Sequence, residues 1–143
     1  MTGGEKWPPV GGWILGLGND LVEVSRVEKA IQRHGEKFLQ RVFTPEEIRY
    51  AGGMKSSGKH FAARFAAKEA VSKAFRTGIG KELNWTSVGV IHGSQGEPLV
   101  VLDALGKQLL QRLGGDEVWV SLSHTETLAQ ATALLLTKSP RPL

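Results

Sequence analysis

The 143-residue chain contains no cysteine. Disulfides, thiolate metal sites and cysteine nucleophiles are therefore excluded, and any redox chemistry through thiols with them. No apolar run approaches the roughly 20 residues that span a bilayer, so no membrane attachment is expected. Aromatic residues make up only 7% of the chain and are not interleaved with the basic ones as in single-strand binders. Lys and Arg form no dense tract either, so nucleic acid is not an expected partner. The glycine-lysine-serine/threonine fingerprint of nucleotide loops is missing, and Gly78-Ile-Gly80 is too short to replace it. Residues 1–12 carry Pro8-Pro9 but no apolar signal core, so they read as a flexible leader on a cytoplasmic protein.

What remains is a basic chain with net charge +4 and pI near 9.6, a balance that favours an anionic partner: a phosphorylated metabolite or an acidic protein. The length suits one compact domain over residues 13–143, large enough to bury about two-thirds of the surface of its unfolded chain.

Trp13 to Leu21 alternates, with Ile14, Gly16, Gly18 and Asp20 on one face and Leu15, Leu17, Asn19 and Leu21 on the other. Glycine weakens a strand and marks close approach by a backbone or ligand, so Asp20 should end the strand in a crowded place. Ser25-Arg-Val-Glu28 has capping-box spacing and opens a helix up to Gly35, and Thr44-Pro45-Glu46-Glu47 opens a second one closed by Gly52-Gly53. Met54 to Lys59 reads as loop. His60 to Thr77, free of Gly and Pro and rich in Ala, is the strongest helix. Trp85 to His92 and Leu99 to Leu102 read as strands around a Gly93 to Pro98 turn, Asp103 to Leu113 as a helix, and Glu117 to His124 with Leu128 to Thr137 as a final hairpin. Hairpins dominate the second half, which points to an α+β fold with a mainly antiparallel sheet.

The chemistry-bearing residues are few. Glu69 and Lys73 lie one turn apart on the long helix, with Ala62 and Ala66 keeping that face low toward its N-terminus. A carboxylate beside an ammonium can hold a cation and a phosphate side by side; the plain alternative is a surface i,i+4 pair worth a few tenths of a kcal/mol. Asp20 is the second candidate carboxylate. Mg²⁺ takes one or two protein carboxylates and completes its octahedron with water and phosphate oxygens, so Asp20 and Glu69 suffice chemically. Ser121-Leu-Ser123-His124 forms no Ser/His/Asp constellation and reads as the phosphate-binding end of a strand, or as an exposed turn histidine. Arg26, Lys29 and Arg33 share a helix face that is either solvated or receives an acidic partner.

Gly16-Leu-Gly18-Asn-Asp20-Leu, Arg64-Phe-Ala-Ala-Lys68-Glu69-Ala-Val-Ser-Lys73-Ala74, Gly96-Glu-Pro98 and Ser121-Leu-Ser-His124, in that order, resemble the holo-acyl-carrier-protein synthase branch of the 4′-phosphopantetheinyl transferases. The resemblance implies that branch's fold and an enzyme that moves the phosphopantetheine arm of coenzyme A onto a serine of apo acyl carrier protein. It implies Mg²⁺ held by Asp20 and Glu69, and Lys73 on the phosphate under attack. Arg64, His124, Gly96 and Pro98 would meet the nucleotide end of coenzyme A, and Arg26 the acidic carrier. It further implies a homotrimer with sites between subunits. The alternative is a non-catalytic binder of acidic carriers or nucleotides that keeps the fold.

Overall fold

A computed structural model describes residues 12–138; the expected leader, apart from Gly12, and residues 139–143 lie outside the described residues. Strand β1 (Trp13–Glu23) pairs antiparallel with β5 (Leu128–Thr137), and β5 pairs in turn with β4 (Glu117–His124), giving a three-stranded sheet with β5 in the centre. A separate antiparallel ribbon joins β2 (Val88–His92) and β3 (Pro98–Leu102). The helices are α1 (Val24–His34), α2 (Glu36–Val42), α3 (Pro45–Gly52), α4 (Ser57–Ala74) and α5 (Ala104–Arg112). This is the antiparallel α+β arrangement expected from the hairpins.

Helix α4 lies across β1 and β5, and the sequence explains how it comes so close. In β5 the buried face is built of Ala129, Ala131 and Ala133; in β1 it is built of Gly16 and Gly18, paired with Leu135 and Ala133. A Cβ on Gly18 would stand 1.8 Å from the Ala70 carbonyl oxygen, and one on Gly16 2.2 Å from that of Ala74. The helix backbone therefore rests directly on the strand backbone, as glycines in a strand permit. Asp20 follows Gly18 on the same face and is carried to the edge of this contact.

Five local expectations change. The pairing register shifts between Ile14 and Gly16, so the alternation restarts there and Ile14, 64% exposed, leaves the glycine face. A bulge of this kind inserts an unpaired residue and turns the strand. The Ser25 capping box does not form: α1 already starts at Val24, whose N–H donates to the Thr127 carbonyl, so the backbone supplies the cap. Helix α2 follows directly on Gly35, whose φ of 56° breaks the axis between α1 and α2. Helix α4 begins inside the expected loop, at Ser57, and Trp85–Ser87 is a 3₁₀ turn ahead of the strand. The Thr44 capping box forms as expected, with Thr44 accepting from Glu47 N–H and Glu47 accepting from Thr44 N–H.

Glu47 has a second task. Its carboxylate meets the Lys68 ammonium at 2.7 Å with both side chains fully buried, and also accepts from Val90 N–H at 3.0 Å. Lys68 donates further to the carbonyls of Trp85 and Val88. Desolvation lowers the Lys68 pKa and Glu47 opposes that shift. The pair thus ties α3, α4 and β2 together through satisfied polar atoms in the core, where an unpaired charge could not stay.

Candidate active site

Nearly every side of α4 is buried. From Phe61 to Ala74 only Lys73 is exposed, while Phe65 and Glu69 are half-buried. These three follow at one-turn intervals and form the single stripe that reaches solvent. Ala62 and Ala66, expected to extend the low face, are fully buried. They continue a small-residue line from Gly58, which the Glu28 carboxylate of α1 touches, and α1 packs on α4 there. The low face is thus buried in the core, and the opening is confined to Glu69 and Lys73.

At that opening β1 delivers Asp20. The Lys73 ammonium donates to Asp20 Oδ1 at 3.1 Å and to the Asn19 carbonyl at 2.9 Å. Being partly exposed, this ion pair contributes less than about 1 kcal/mol to stability. Burial, then the nearby negative charge of Asp20, raises the Glu69 pKa above the usual carboxylate range; Lys73 and Arg26 pull it back. Two mutually repelling carboxylates, only partly neutralised, with a lysine and an arginine in range, therefore meet where β1, α4 and α1 converge. Such a pair suits a hard dication that needs few protein ligands. Among the described residues no group of three His, Cys, Asp or Glu could hold an ion alone. Water and substrate oxygens would have to complete the shell.

A second cluster gathers elsewhere. Arg64, Gly96, Pro98 and His124 line one cleft of about 250 Å³, together with Tyr50, His60, His92 and Ser121. Arg64 is only 2% exposed. Its guanidinium sits 4.5 Å over the Tyr50 ring and donates to the His60 carbonyl at 3.1 Å. Desolvation lowers its pKa while Tyr50 and Glu47 raise it. The His60 and His124 rings are 5.5 Å apart, and desolvation followed by the charge of Arg64 lowers the His60 pKa. This basic, partly dehydrated cleft suits an anionic group.

The residues singled out in the sequence thus fall into two sets. Asp20, Glu69, Lys73 and Arg26 converge in one; Arg64, Gly96, Pro98 and His124 converge in the other. None of the first four lines the cleft. Helical geometry accounts for part of this, because five residues advance about 140° beyond a full turn and send Arg64 away from Glu69. Tyr50, His60 and His92 were not picked out from the sequence. They come from three elements, α3, α4 and β2, and no local signal in the sequence joins them.

The profile of the 4′-phosphopantetheinyl transferase superfamily matches residues 16–132, which takes in both clusters. The chain belongs to that superfamily. A holo-[acyl-carrier-protein] synthase of Koribacter versatilis is 44% identical over 122 residues, spanning 85% of this chain and 98% of that protein. Among solved structures, a holo-[acyl-carrier-protein] synthase from Neisseria meningitidis superposes with a TM-score of 0.81 at 30% identity, covering 86% of this chain and 98% of its own. The Helicobacter pylori holo-[acyl-carrier-protein] synthase in complex with coenzyme A superposes with a TM-score of 0.75 at 32% identity, covering 83% of this chain and 98% of its own.

Proposed function

We propose that this member of the superfamily transfers the 4′-phosphopantetheine group of coenzyme A to a serine of apo acyl carrier protein, releasing adenosine 3′,5′-bisphosphate. The observation that carries this reading is the convergence of Asp20, Glu69, Lys73 and Arg26 at the edge of the β1–α4 contact. A pure binder of carriers or nucleotides has no use for two repelling carboxylates beside a lysine. The names of the relatives and the coenzyme A complex of the similar Helicobacter pylori protein support it.

Asp20 and Glu69 would hold Mg²⁺, which when bound would supply positive charge to the pyrophosphate oxygens. Lys73 is oriented by its hydrogen bonds to Asp20 and the Asn19 carbonyl. When the carrier's serine oxygen attacks the β-phosphorus and the bond to the bridging oxygen breaks, negative charge grows on the phosphoryl and leaving oxygens. The ammonium is positioned to meet that charge as it develops. The cleft of Arg64, Gly96, Pro98 and His124 would take the nucleotide end and its 3′-phosphate. Arg26, whose charge acts on Glu69, would receive the acidic carrier, and the net charge of +4 would speed the encounter at low salt.

A homotrimer with sites between subunits fits the separation of the two clusters, since the cleft of one copy could complete the carboxylate site of the next. It fits, too, the outer face of the three-stranded sheet, where Leu17 and Leu21 are 65% and 62% exposed beside Trp13 and Ile14. Exposed apolar area of this kind commonly marks an interface. No helix of the described residues is long and apolar enough to cross a membrane, and we infer a cytoplasmic enzyme acting in fatty acid biosynthesis.

The test is intact-mass spectrometry of apo acyl carrier proteins, of both fatty acid and polyketide type, incubated with coenzyme A, Mg²⁺ and the enzyme. Gain of one phosphopantetheine group is expected, and its loss when the metal is chelated. No gain on any carrier would leave a binding protein instead.

A further inference from the structure

Arg64 reaches the cleft with its hydrogen bonding unevenly spent. One terminal nitrogen donates to the His60 carbonyl, the other lies 2.6 Å from His92 Nε2, and the buried Nε–H has no acceptor among the described residues. A guanidinium only donates, so His92 Nε2 must carry a lone pair. The other ring nitrogen, Nδ1, lies 3.1 Å from the Gly96 carbonyl. A carbonyl only accepts, so Nδ1 must carry the proton. Two independent contacts therefore demand the same neutral form, with hydrogen on Nδ1. A ring protonated on both nitrogens would set N–H against N–H at Arg64.

The surroundings hold the ring in that role. Tyr50 from α3 packs on His92 with centroids 4.5 Å apart and planes at 33°, while Arg64 lies over the same Tyr50 ring. The β2–β3 turn is closed by Gly93 N–H to the Glu97 carbonyl and Gly96 N–H to the Gly93 carbonyl, which leaves the Gly96 carbonyl to His92. His60 from α4 faces His124 from β4 on the other side of the cleft. Arg64 and the turn come from different parts of the fold, and His92 is the side chain that bridges them.

We propose that His92 is a positioning residue: as the Nδ1–H tautomer it aims the Arg64 guanidinium and locks it to the Gly96 turn, so that the guanidinium charge is held at the cleft wall for a phosphate of the bound nucleotide. This rests on the reading of the cleft given above. His92 lines that cleft but lies apart from the reacting phosphorus in this scheme. It acts on affinity through Arg64 and leaves the phosphoryl step to the Asp20, Glu69 and Lys73 cluster.

Long-range ¹H–¹⁵N correlation spectra of the full-length protein with labelled histidine test the tautomer directly, the His92 ring being assigned from its absence in His92→Gln. A pyrrole-like Nδ1 and a pyridine-like Nε2 are expected at pH 7.5; hydrogen on Nε2, or on both nitrogens, overturns the proposal. Calorimetric titration with adenosine 3′,5′-bisphosphate and steady-state kinetics test the consequence. His92→Phe keeps a ring on Tyr50 but removes both hydrogen bonds, and should weaken binding and raise KM for coenzyme A about tenfold with kcat within about twofold, the size expected for a lost bond to a charged group. His92→Gln offers an amide oxygen to Arg64 and should recover most of that loss. Equal behaviour of the two variants, or a fall confined to kcat, overturns it. Wild-type protein that does not bind the nucleotide sinks the reading of the cleft as well, whereas tight wild-type binding with unaltered His92→Phe sinks this proposal alone.

Discussion

Adding a single carbon at Gly18 tests the idea that backbone contact between β1 and α4 builds the site. The new Cβ would stand 1.8 Å from the Ala70 carbonyl oxygen, 2.8 Å from its carbon and 2.8 Å from the Ala74 nitrogen. All three are backbone atoms of a buried helix, so no rotamer change relieves the clash. An ordinary carbon–oxygen contact requires strand and helix to part by more than about 1 Å, and the void opened along Gly16, Ala131 and Ala133 forfeits dispersion contacts. Overpacking of this kind costs about 1–3 kcal/mol, and a backbone-against-backbone case belongs at the top of that range. The same displacement moves Asp20 away from Glu69 and Lys73, and misplacement by about 1 Å can cost on the order of a hundredfold in rate. Gly18→Ala should therefore lower stability by about 3 kcal/mol in urea denaturation and, in the folded fraction, lower turnover about a hundredfold in the mass assay. Gly52→Ala is the control: nothing lies within 4 Å of its added carbon, and it should be neutral or slightly stabilising. Near-native stability and turnover in Gly18→Ala would refute the argument that the glycine pair sets the site.

Three further outcomes are expected. Lys68→Met strands Glu47 as an unpaired buried charge and should cost about 3–5 kcal/mol by urea denaturation; a loss below about 1 kcal/mol would mean that the pair does not hold α3 to α4. Glu69 binds its proton more tightly in the folded than in the unfolded chain, so it favours folding at acid pH and loses that contribution as pH rises through its raised pKa. Glu69→Gln should thus melt higher than wild type at pH 7.5 without added metal, by a margin that shrinks toward pH 4, while turnover falls on the order of a hundredfold; a margin that grows on acidification would refute the sign. Arg76 has a φ of 65°, the one left-handed non-glycine among the described residues. Relief of that strain outweighs the added chain entropy, so Arg76→Gly should stabilise by a few tenths to about 1 kcal/mol, and a destabilisation in thermal melts would contradict it.

Much of the fold was legible because its signals are local. The Thr44, Pro45 and Glu47 cap, the alternation of Glu117 to His124 against Leu128 to Thr137, and the absence of breakers from His60 to Thr77 each depend on residues within a turn or two of one another. Helix α2 was missed because Gly35 reads as a terminator, and only the structure shows it as a corner between two helices. The Ser25 box failed because the cap comes from Thr127, a residue in the distant turn between β4 and β5. Lys68 stood inside a quoted motif without a task, since its partner Glu47 sits on a different helix.

By itself the sequence determined the ingredients of the chemistry: two carboxylates in small-residue settings, a lysine one turn past the second, and a strand face with side chains removed at Gly16 and Gly18. Residue type and one-turn spacing are properties of the chain, and they restrict what each segment can do wherever it lies. Only the tertiary structure decided that Asp20 meets Lys73, that the alanine face is buried, and that Arg64 is drawn instead into a cleft with Tyr50, His60 and His92. Those are contacts between segments distant in the chain. Their free energy comes from packing and desolvation, which exist only once the elements are docked.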